Sequence, residues 1–394
     1  MKIVLISFFR SANLGDLLIA RTLADALELH GATTRLSYSS SPLHSSDIES
    51  MGADFTPVNA SVWRSVLRRW ASRLGLDPLL RRARTHPAIN PWRDDPEVAR
   101  CIGDADLVVI GGGNLIFDVD PWTRSWEFFD SALNAARGRG IPVIGMCLGI
   151  GPFATDEQNL NAVRSLEKCA AVSFRDRRSL ELYRRYSSAG NAHLSVDPVF
   201  TMPLVVGGAG ERGVIGVNFV DMRLAGAGPW VAMKNRRRYC ELIAAILRRF
   251  TNDIVLFSTD LNDYPLLFDI DRRVSSPRCR VAKVDGRHSL LTLYASFDVV
   301  VAARMHALIT SYAQLIPVVG LAWQSKVREF FDIVEDDSSV FECDNLPAEI
   351  PNILEKIHQK IEARHEERRE MTIRRKAIEE RFLVNHELVA SVQL

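Results

Sequence analysis

Short apolar runs rich in β-branched residues alternate with longer segments of helical period along most of the chain, and this rhythm restricts the fold more than any other feature. Strands covered on both faces read as continuous apolar runs, so the pattern predicts parallel βαβ units. Strands are expected at residues 2–8, 34–39, 107–110, 142–147, 171–174, 193–196, 213–218, 254–258, 280–284, 299–302 and 318–322, with helices between most pairs.

A chain of 394 residues exceeds what one hydrophobic core usually supports, so two domains are expected. The stretch 203–212 carries three glycines just ahead of a fresh strand and reads as the boundary. Residues 1–205 then form one doubly wound Rossmann-like α/β domain and 212–345 a second, facing it across a cleft. Residues 346–394 follow as closing C-terminal helices. The segment 350–388 is charged, with Ile353, Leu354, Ile357 and Ile361 at helical spacing, and packs over one or both domains.

The net charge of +1 supplies no global field for nucleic acid, so no nucleic-acid partner is expected. The six cysteines show no C-x-x-C pair and no metal-ligand rhythm with histidine; they read as reduced, mostly core thiols, and no metal is expected. The N-terminal apolar run is too short for a signal peptide, and no stretch reaches the roughly 20 apolar residues of a membrane span. The expected place is the cytoplasm, with the inner face of the cell membrane as a further possibility.

Where a strand gives way to a helix, backbone N–H groups and the helix dipole face the crevice above the sheet. Four such junctions carry chemistry. Asn13 and Asp16 lie in the first, with an N-cap and tight turn as the plain alternative. Gly111, Gly112, Gly113 and Asn114 follow the strand 107–110; no Gly-Lys-Ser/Thr follows, so neither a P-loop nor a G-x-G-x-x-G site is indicated. Arg175 ends the strand 171–174 at the sheet rim, placed to bind a phosphate or carboxylate, or to pair with Asp176.

The fourth junction is the most informative. Val299-Val300-Val301-Ala302-Ala303 runs straight into Arg304 and His306 ahead of an apolar helix. A buried arginine costs several kcal/mol unless an anion meets it, so either an internal carboxylate or a ligand must sit there. His306 at a helix start has its cation disfavoured unless an anion is close, which makes an anion site that can also move a proton; a purely structural His–Arg pair is the alternative. Lys326, in Trp323-Gln324-Ser325-Lys326, is a candidate further cation.

Asn13-Leu14-Gly15-Asp16, Val109-Ile110-Gly111-Gly112-Gly113, Phe174-Arg175-Asp176, Val196-Asp197-Pro198, Ala303-Arg304-Met305-His306 and Trp323-Gln324-Ser325-Lys326 together resemble the polysaccharide pyruvyl transferase family. Each is short; order and spacing carry the resemblance. It implies a glycosyltransferase-B-like fold and transfer of the enolpyruvyl unit of phosphoenolpyruvate onto two hydroxyls of a sugar, leaving a pyruvate ketal and phosphate. It also implies donor binding and proton transfer by Arg304 and His306, with Arg175 as a second donor arginine. The family's Tyr-Asp-Pro-Lys-like run is here Trp-Gln-Ser-Lys, a departure that bears on acceptor more than donor contacts.

The residues fit that chemistry in their own right. Phosphoenolpyruvate, expected as donor substrate with no separate cofactor, carries a phosphate and a carboxylate, which Arg175, Arg304 and Lys326 can meet. His306 suits protonation of the methylene carbon, and Asp16 or Asp197 could take the hydroxyl proton, although Asp197-Pro198 also reads as a strand-ending turn. Asn13, Gly112, Gly113, Asn114, Trp323 and Gln324 are assigned to the acceptor or the cleft wall.

Residues 61–85 form an expected basic amphipathic helix: Trp63, Leu67, Trp70 and Leu74 share a face beside Arg64, Arg68, Arg69 and Arg73. It could rest on anionic lipid, near a lipid-pyrophosphate-linked acceptor, or dock on its own domain. Alternative readings of the whole chain are a glycosyltransferase using a nucleotide sugar and a non-catalytic carbohydrate-binding protein.

Overall fold

The structure, a computed structural model, describes residues 1–9, 11, 13–38, 96–118, 121, 123–205, 213–223 and 228–392. The basic segment 61–85 and most of the glycine-rich stretch 203–212 lie outside these. Two six-stranded sheets account for the fold, every neighbouring pair in them parallel.

The first sheet uses β1 (Lys2–Ser7), β2 (Ala32–Ser37), β3 (Leu107–Asp118), β4 (Val143–Phe153), β5 (Ala171–Phe174) and β6 (Ala192–Leu194), in the order β2-β1-β3-β4-β5-β6. Its helices are α1 (Leu14–Glu28), α2 (Pro96–Gly103), α3 (Ser125–Arg137), α4 (Asp156–Leu166) and α5 (Arg177–Tyr186). The second sheet uses β7 (Val214–Asn218), β8 (Asp253–Leu256), β9 (Cys279–Val281), β10 (Phe297–Ala302), β11 (Val318–Ala322) and β12 (Val340–Glu342), in the order β12-β11-β10-β7-β8-β9. Its helices are α6 (Pro229–Arg249), α7 (Tyr264–Val274), α8 (Arg287–Tyr294), α9 (Met305–Ala313) and α10 (Ser325–Val334).

In each sheet the strand order reverses once. The chain steps from β1 outward to β2 and returns to pair β3 on the other side of β1; likewise β10 pairs β7 on the side away from β8. Crevices beyond the carboxyl ends of strands at such reversals are where open α/β sheets bind ligands. The first reversal presents Asn13–Asp16 with the residue 111–113 glycines, and the second presents Asn218 with Arg304 and His306.

One apolar cluster runs through both halves, joining Leu18 and Leu23 of α1, Phe200, Leu308 and Tyr312 of α9, Phe330 of α10, and Met371 and Ile378 of the C-terminal region. Such side chains contribute roughly 1.5–3 kcal/mol each on burial, so the halves pack firmly on this side. The C-terminal region is three helices, α11 (Leu346–Glu362), α12 (Arg364–Glu380) and α13 (Leu383–Ser391). α12 reaches back to the first half, where Arg375 Nη2 donates to Met202 O at 2.7 Å. α13 docks on the first sheet through the buried Asn385, which bonds Ser173 Oγ at 2.6 Å and Ser195 Oγ at 2.7 Å.

The glycine cluster departs from expectation. Expected to end its strand at Ile110, it lies inside β3, which continues to Asp118, and β4 likewise continues past Cys147 to Phe153. β4 comes so close that a side-chain carbon at Gly111 would stand 2.3 Å from Met146 O, while Gly112 and Gly113 take φ of +81° and +84°. Backbone without Cβ atoms can bend here and keep pairing, with a register shift between Gly113 and Ile116. β12 is a strand the apolar pattern did not show; three residues are too few for a period.

Candidate active site

At the start of α1, Asn13 caps the helix, its Oδ1 accepting from Gly15 N at 2.9 Å. The turn this fixes holds Asp16 in the first helical turn, with Ser11 Oγ donating to Asp16 Oδ2 at 2.9 Å. Burial pushes the Asp16 carboxyl up to about 6, helped by the charges of Asp260 and Asp197 and opposed by the Ser11 bond and Arg175.

Arg175, 6% exposed, leaves the end of β5 and donates from Nη1 to Asp197 Oδ2 at 2.8 Å. Asp197 in turn accepts from Val199 N at 3.1 Å through Oδ1, so the strand-ending turn and the arginine partner are one residue. Arg175 Nε lies 3.9 Å from Asp176 Oδ2, a secondary contact. Gly149 lets the guanidinium pass: a side-chain carbon there would meet Asn114 Oδ1 at 2.8 Å and Arg175 Nε at 3.1 Å. Asn114 itself donates from Nδ2 to Gly151 O at 2.7 Å.

In the second half, β10 ends beneath Arg304, whose backbone N–H donates to Asn218 Oδ1 at 2.9 Å. The guanidinium is gripped by Asp263 through two bonds of 2.8 Å, with Asp260 Oδ2 at 3.2 Å. Of the two counter-anions the sequence left open, the internal carboxylate is present. Burial raises the Asp263 carboxyl, while the Arg304 charge and bonds pull it down.

His306 enters α9 one turn on and is 9% exposed. Its ring packs closely on Gly15: a side-chain carbon there would stand 2.1 Å from His306 Nδ1. Its Nε2 is buried, hydrogen bonds to no described residue, and lies 3.9 Å from Asp197 Oδ2. Burial lowers the imidazole to about 4; Asp197 opposes this, while Arg175, Lys326 and Arg304 add to it.

Lys326, in the first turn of α10, is half-buried, and no hydrogen bond or ion pair joins its Nζ to a described residue. Burial lowers its ammonium to about 8, aided by the Arg175 charge. Lys326 and Arg175 line one cleft with Asp176, Asp197 and Glu329, over an apolar floor of Met305, Ile309 and Phe330. His306 and Asp16 are not among the residues that line it, although His306 Nε2 lies 3.9 Å from the lining residue Asp197.

The halves also touch across the site. Leu14 N donates to Thr259 O at 2.7 Å, beside a bridge between Asn13 and Asp260, and Arg178 Nη1 donates to Ser325 Oγ at 2.8 Å and Glu329 Oε1 at 3.1 Å.

A sequence profile described as polysaccharide pyruvyl transferase matches residues 13–325, a span that contains Asp16, Arg175, Asp197, Asp260, Asp263, Arg304 and His306 and stops one residue short of Lys326. The chain belongs to the polysaccharide pyruvyl transferase family. No protein of curated function matches it in sequence. Among solved structures, the UDP-GlcNAc 2-epimerase of Neisseria meningitidis bound to UDP-GlcNAc is similar at 12% identity over 99% of this chain and 100% of that one, with a TM-score of 0.57. Sucrose-phosphate synthase of Thermosynechococcus elongatus is similar at 12% identity over 100% and 99%, with a TM-score of 0.54. Anabaena HepE in complex with UDP is similar at 13% identity over 100% of both chains, with a TM-score of 0.53. At such identities the likeness is one of fold: this pyruvyl transferase family member has the two-domain Rossmann-like architecture of glycosyltransferase-B enzymes.

Of the residues singled out in the sequence, Asp16, Arg175, His306 and Lys326 converge. Gly113 adjoins them, a side-chain carbon there lying 4.0 Å from Asp16 Oδ1. Gly112 is spent on packing, since such a carbon would meet Ile19 Cγ2 at 2.4 Å. Trp323 donates Nε1–H to Ala303 O at 2.9 Å and braces the Arg304 turn, and Gln324 is an exposed N-cap at the rim. Arg304 is not among the residues lining the cleft. Asp260 and Asp263 were missed, although Ser258-Thr259-Asp260-Leu261-Asn262-Asp263 follows a strand in the same way as the four junctions that were read.

Proposed function

We propose that this family member transfers the enolpyruvyl group of phosphoenolpyruvate to two hydroxyls of a saccharide, in the assembly of a cell-surface polysaccharide. The observation that carries the reading is the buried, unpartnered His306 Nε2 beside Asp197, Arg175 and Lys326. An unpaired polar atom held out of water is costly unless a ligand meets it.

Lys326, with no partner among the described residues, and Arg175 at the cleft wall receive the phosphate and carboxylate of the donor. A first acceptor hydroxyl loses its proton to Asp16 as its oxygen bonds the donor's second carbon. The methylene carbon takes a proton from His306 and becomes a methyl group against Met305 and Ile309. A second hydroxyl then bonds the same carbon, its proton goes to a base, and phosphate departs with the C–O bonding pair, which leaves the cyclic ketal. His306 near 4 is neutral in the unliganded site; the donor's negative charges raise it, so the acid is armed by its own substrate. Because Nε2 has no surface, the Gly15–His306 contact parts to admit substrates and closes to exclude water.

The test is the purified protein with phosphoenolpyruvate and a panel of saccharides, reading phosphate release and the mass of the sugar product. A ketal and phosphate are expected with one acceptor class, and none with a nucleotide sugar in place of phosphoenolpyruvate. Absence of phosphate with every acceptor overturns the reading.

A further inference from the structure

Among the described residues, three large apolar side chains are exposed together where the cleft edge of the second sheet meets solvent. In the first turns of α6, Trp230 is 79% exposed, Val231 48% and Met233 46%. Of the other exposed large hydrophobics among the described residues, Leu204 and Val205 are neighbours in sequence, whereas Leu29, Phe117 and Ile373 stand singly. Leaving an indole in water forgoes roughly 1.5–3 kcal/mol of burial, so such a cluster marks a contact.

Charge says what kind. From Leu224 to Met233 no side chain is charged; Arg223 precedes the run and Lys234, Arg236, Arg237 and Arg238 follow it, with no acidic residue before Glu241. Lys234 and Arg237 are exposed beside the apolar turn. Three acids oppose this field, Asp269 of the adjoining α7 paired with Arg236, Arg272 and Arg273, Glu241 paired with Arg237, and Asp221 paired with Arg223, so cations outnumber acids around the turn. An interfacial tryptophan with aliphatic neighbours, rimmed by cations, matches the boundary between anionic headgroups and acyl chains.

Position agrees. α6 follows β7, so its start lies on the strand-end edge that also carries Asn218, Arg304 and His306. We infer that Trp230, Val231 and Met233, with Lys234 and Arg237, form a contact with an anionic membrane surface that turns the mouth of the cleft toward the lipid. The contact stands on this surface alone; its use, to meet an acceptor carried on lipid, rests on the pyruvyl-transfer reading.

Co-sedimentation of the full chain with phosphatidylcholine vesicles, with and without phosphatidylglycerol, tests it. Wild type is expected to pellet with anionic vesicles and to be released by salt, whereas W230S/M233S binds about tenfold more weakly or less with an unchanged melting temperature. K234E/R237E, which leaves the apolar turn intact, is expected to lose the preference for anionic vesicles. Equal pelleting of wild type and W230S/M233S, or loss only with R68E/R69E in the other basic segment, overturns the inference. So does dissociation of an oligomer by W230S/M233S, which would make the patch a subunit interface. Phosphate release with a soluble acceptor is expected to be the same for wild type and W230S/M233S. Vesicle binding as expected with no phosphate from either protein fails the reaction and leaves the contact standing.

Discussion

His306 lies against Gly15, the residue before Asp16, and burial moves the two pKa values past one another, to about 4 for His306 and about 6 for Asp16. Asp16 works as a base only when ionised, so in the donor complex, where the donor's charges keep His306 protonated, kcat is expected to rise with pH along an acid limb that lies above the ordinary aspartate range. An acid limb centred on an ordinary aspartate value would remove Asp16 from the role. His306→Ala is expected to lower turnover by 10²-fold or more with phosphoenolpyruvate affinity nearly kept, and normal turnover would refute the proton transfer. The same residues set opposing stability trends. His306 is depressed from 6.5, so the unfolded chain takes up a proton that the folded one refuses, and stability is lost as pH falls from 6.5 toward 4. Asp16 is raised from 3.8, so its contribution is present at low pH and lost as pH rises toward 6. Replacing His306 by Ala is therefore expected to flatten the acid-side fall in urea midpoint between pH 6.5 and 4; an unchanged fall would mean that the burial of His306 is not its cause. Gly15→Ala probes the contact while leaving both ionisable groups in the chain. A methyl 2.1 Å from the imidazole must displace it, so turnover is expected to drop about as far as in His306→Ala.

At the scale of elements, the strand–helix junctions were legible because chemistry-bearing residues interrupt an apolar rhythm; Phe174-Arg175-Asp176 and Ala303-Arg304-Met305-His306 each break a run of core residues. The partners of those residues were not legible. Arg304 required an anion on burial grounds, but whether Asp263, forty-one residues upstream, or a ligand supplied it depends on how β8 lies beside β7. The glycines of β3 show the opposite failure: they signal close backbone approach, and both a ligand loop and a neighbouring strand satisfy that signal. The Asp263–Arg304 clasp gives a prediction at this level. Asp263 has a side chain with no exposed surface, so Arg304→Ala strands a buried carboxylate and is expected to destabilise the fold by about 3–5 kcal/mol. The arginine thus holds the α9 start, and with it His306, before it holds any donor. A chemical melt that leaves Arg304→Ala as stable as wild type, with only donor affinity lost, would return Arg304 to the binding site.

Over the whole molecule, the chain closes on itself. The proposed site draws Asp16 and Arg175 from one half and His306 and Lys326 from the other, and packing between the halves keeps His306 against Gly15. Two attachments flank that contact. Arg178 reaches across the cleft mouth to Ser325 and Glu329, a half-exposed link of modest energy that can yield when the cleft opens. α13 lies on the first sheet, with the Asn385 amide between Ser173 and Ser195 and all three buried. Asn385 follows the whole second half in sequence, so this anchorage makes the first half depend on the end of the chain. Asn385→Leu removes both bonds and leaves the buried Ser173 and Ser195 hydroxyls with only their Cys147 contacts, at about 1–3 kcal/mol for each bonding group left unsatisfied. The expected result is a lower melting temperature with the first half loosened ahead of the second, visible as two calorimetric transitions where wild type gives one. Arg178→Ala is expected to leave the melt within about 0.5 kcal/mol of wild type and to change turnover instead, because its bonds cross the opening edge. If Arg178→Ala splits the melt and Asn385→Leu does not, the halves are held together at the cleft mouth and the C-terminal helices only cover them.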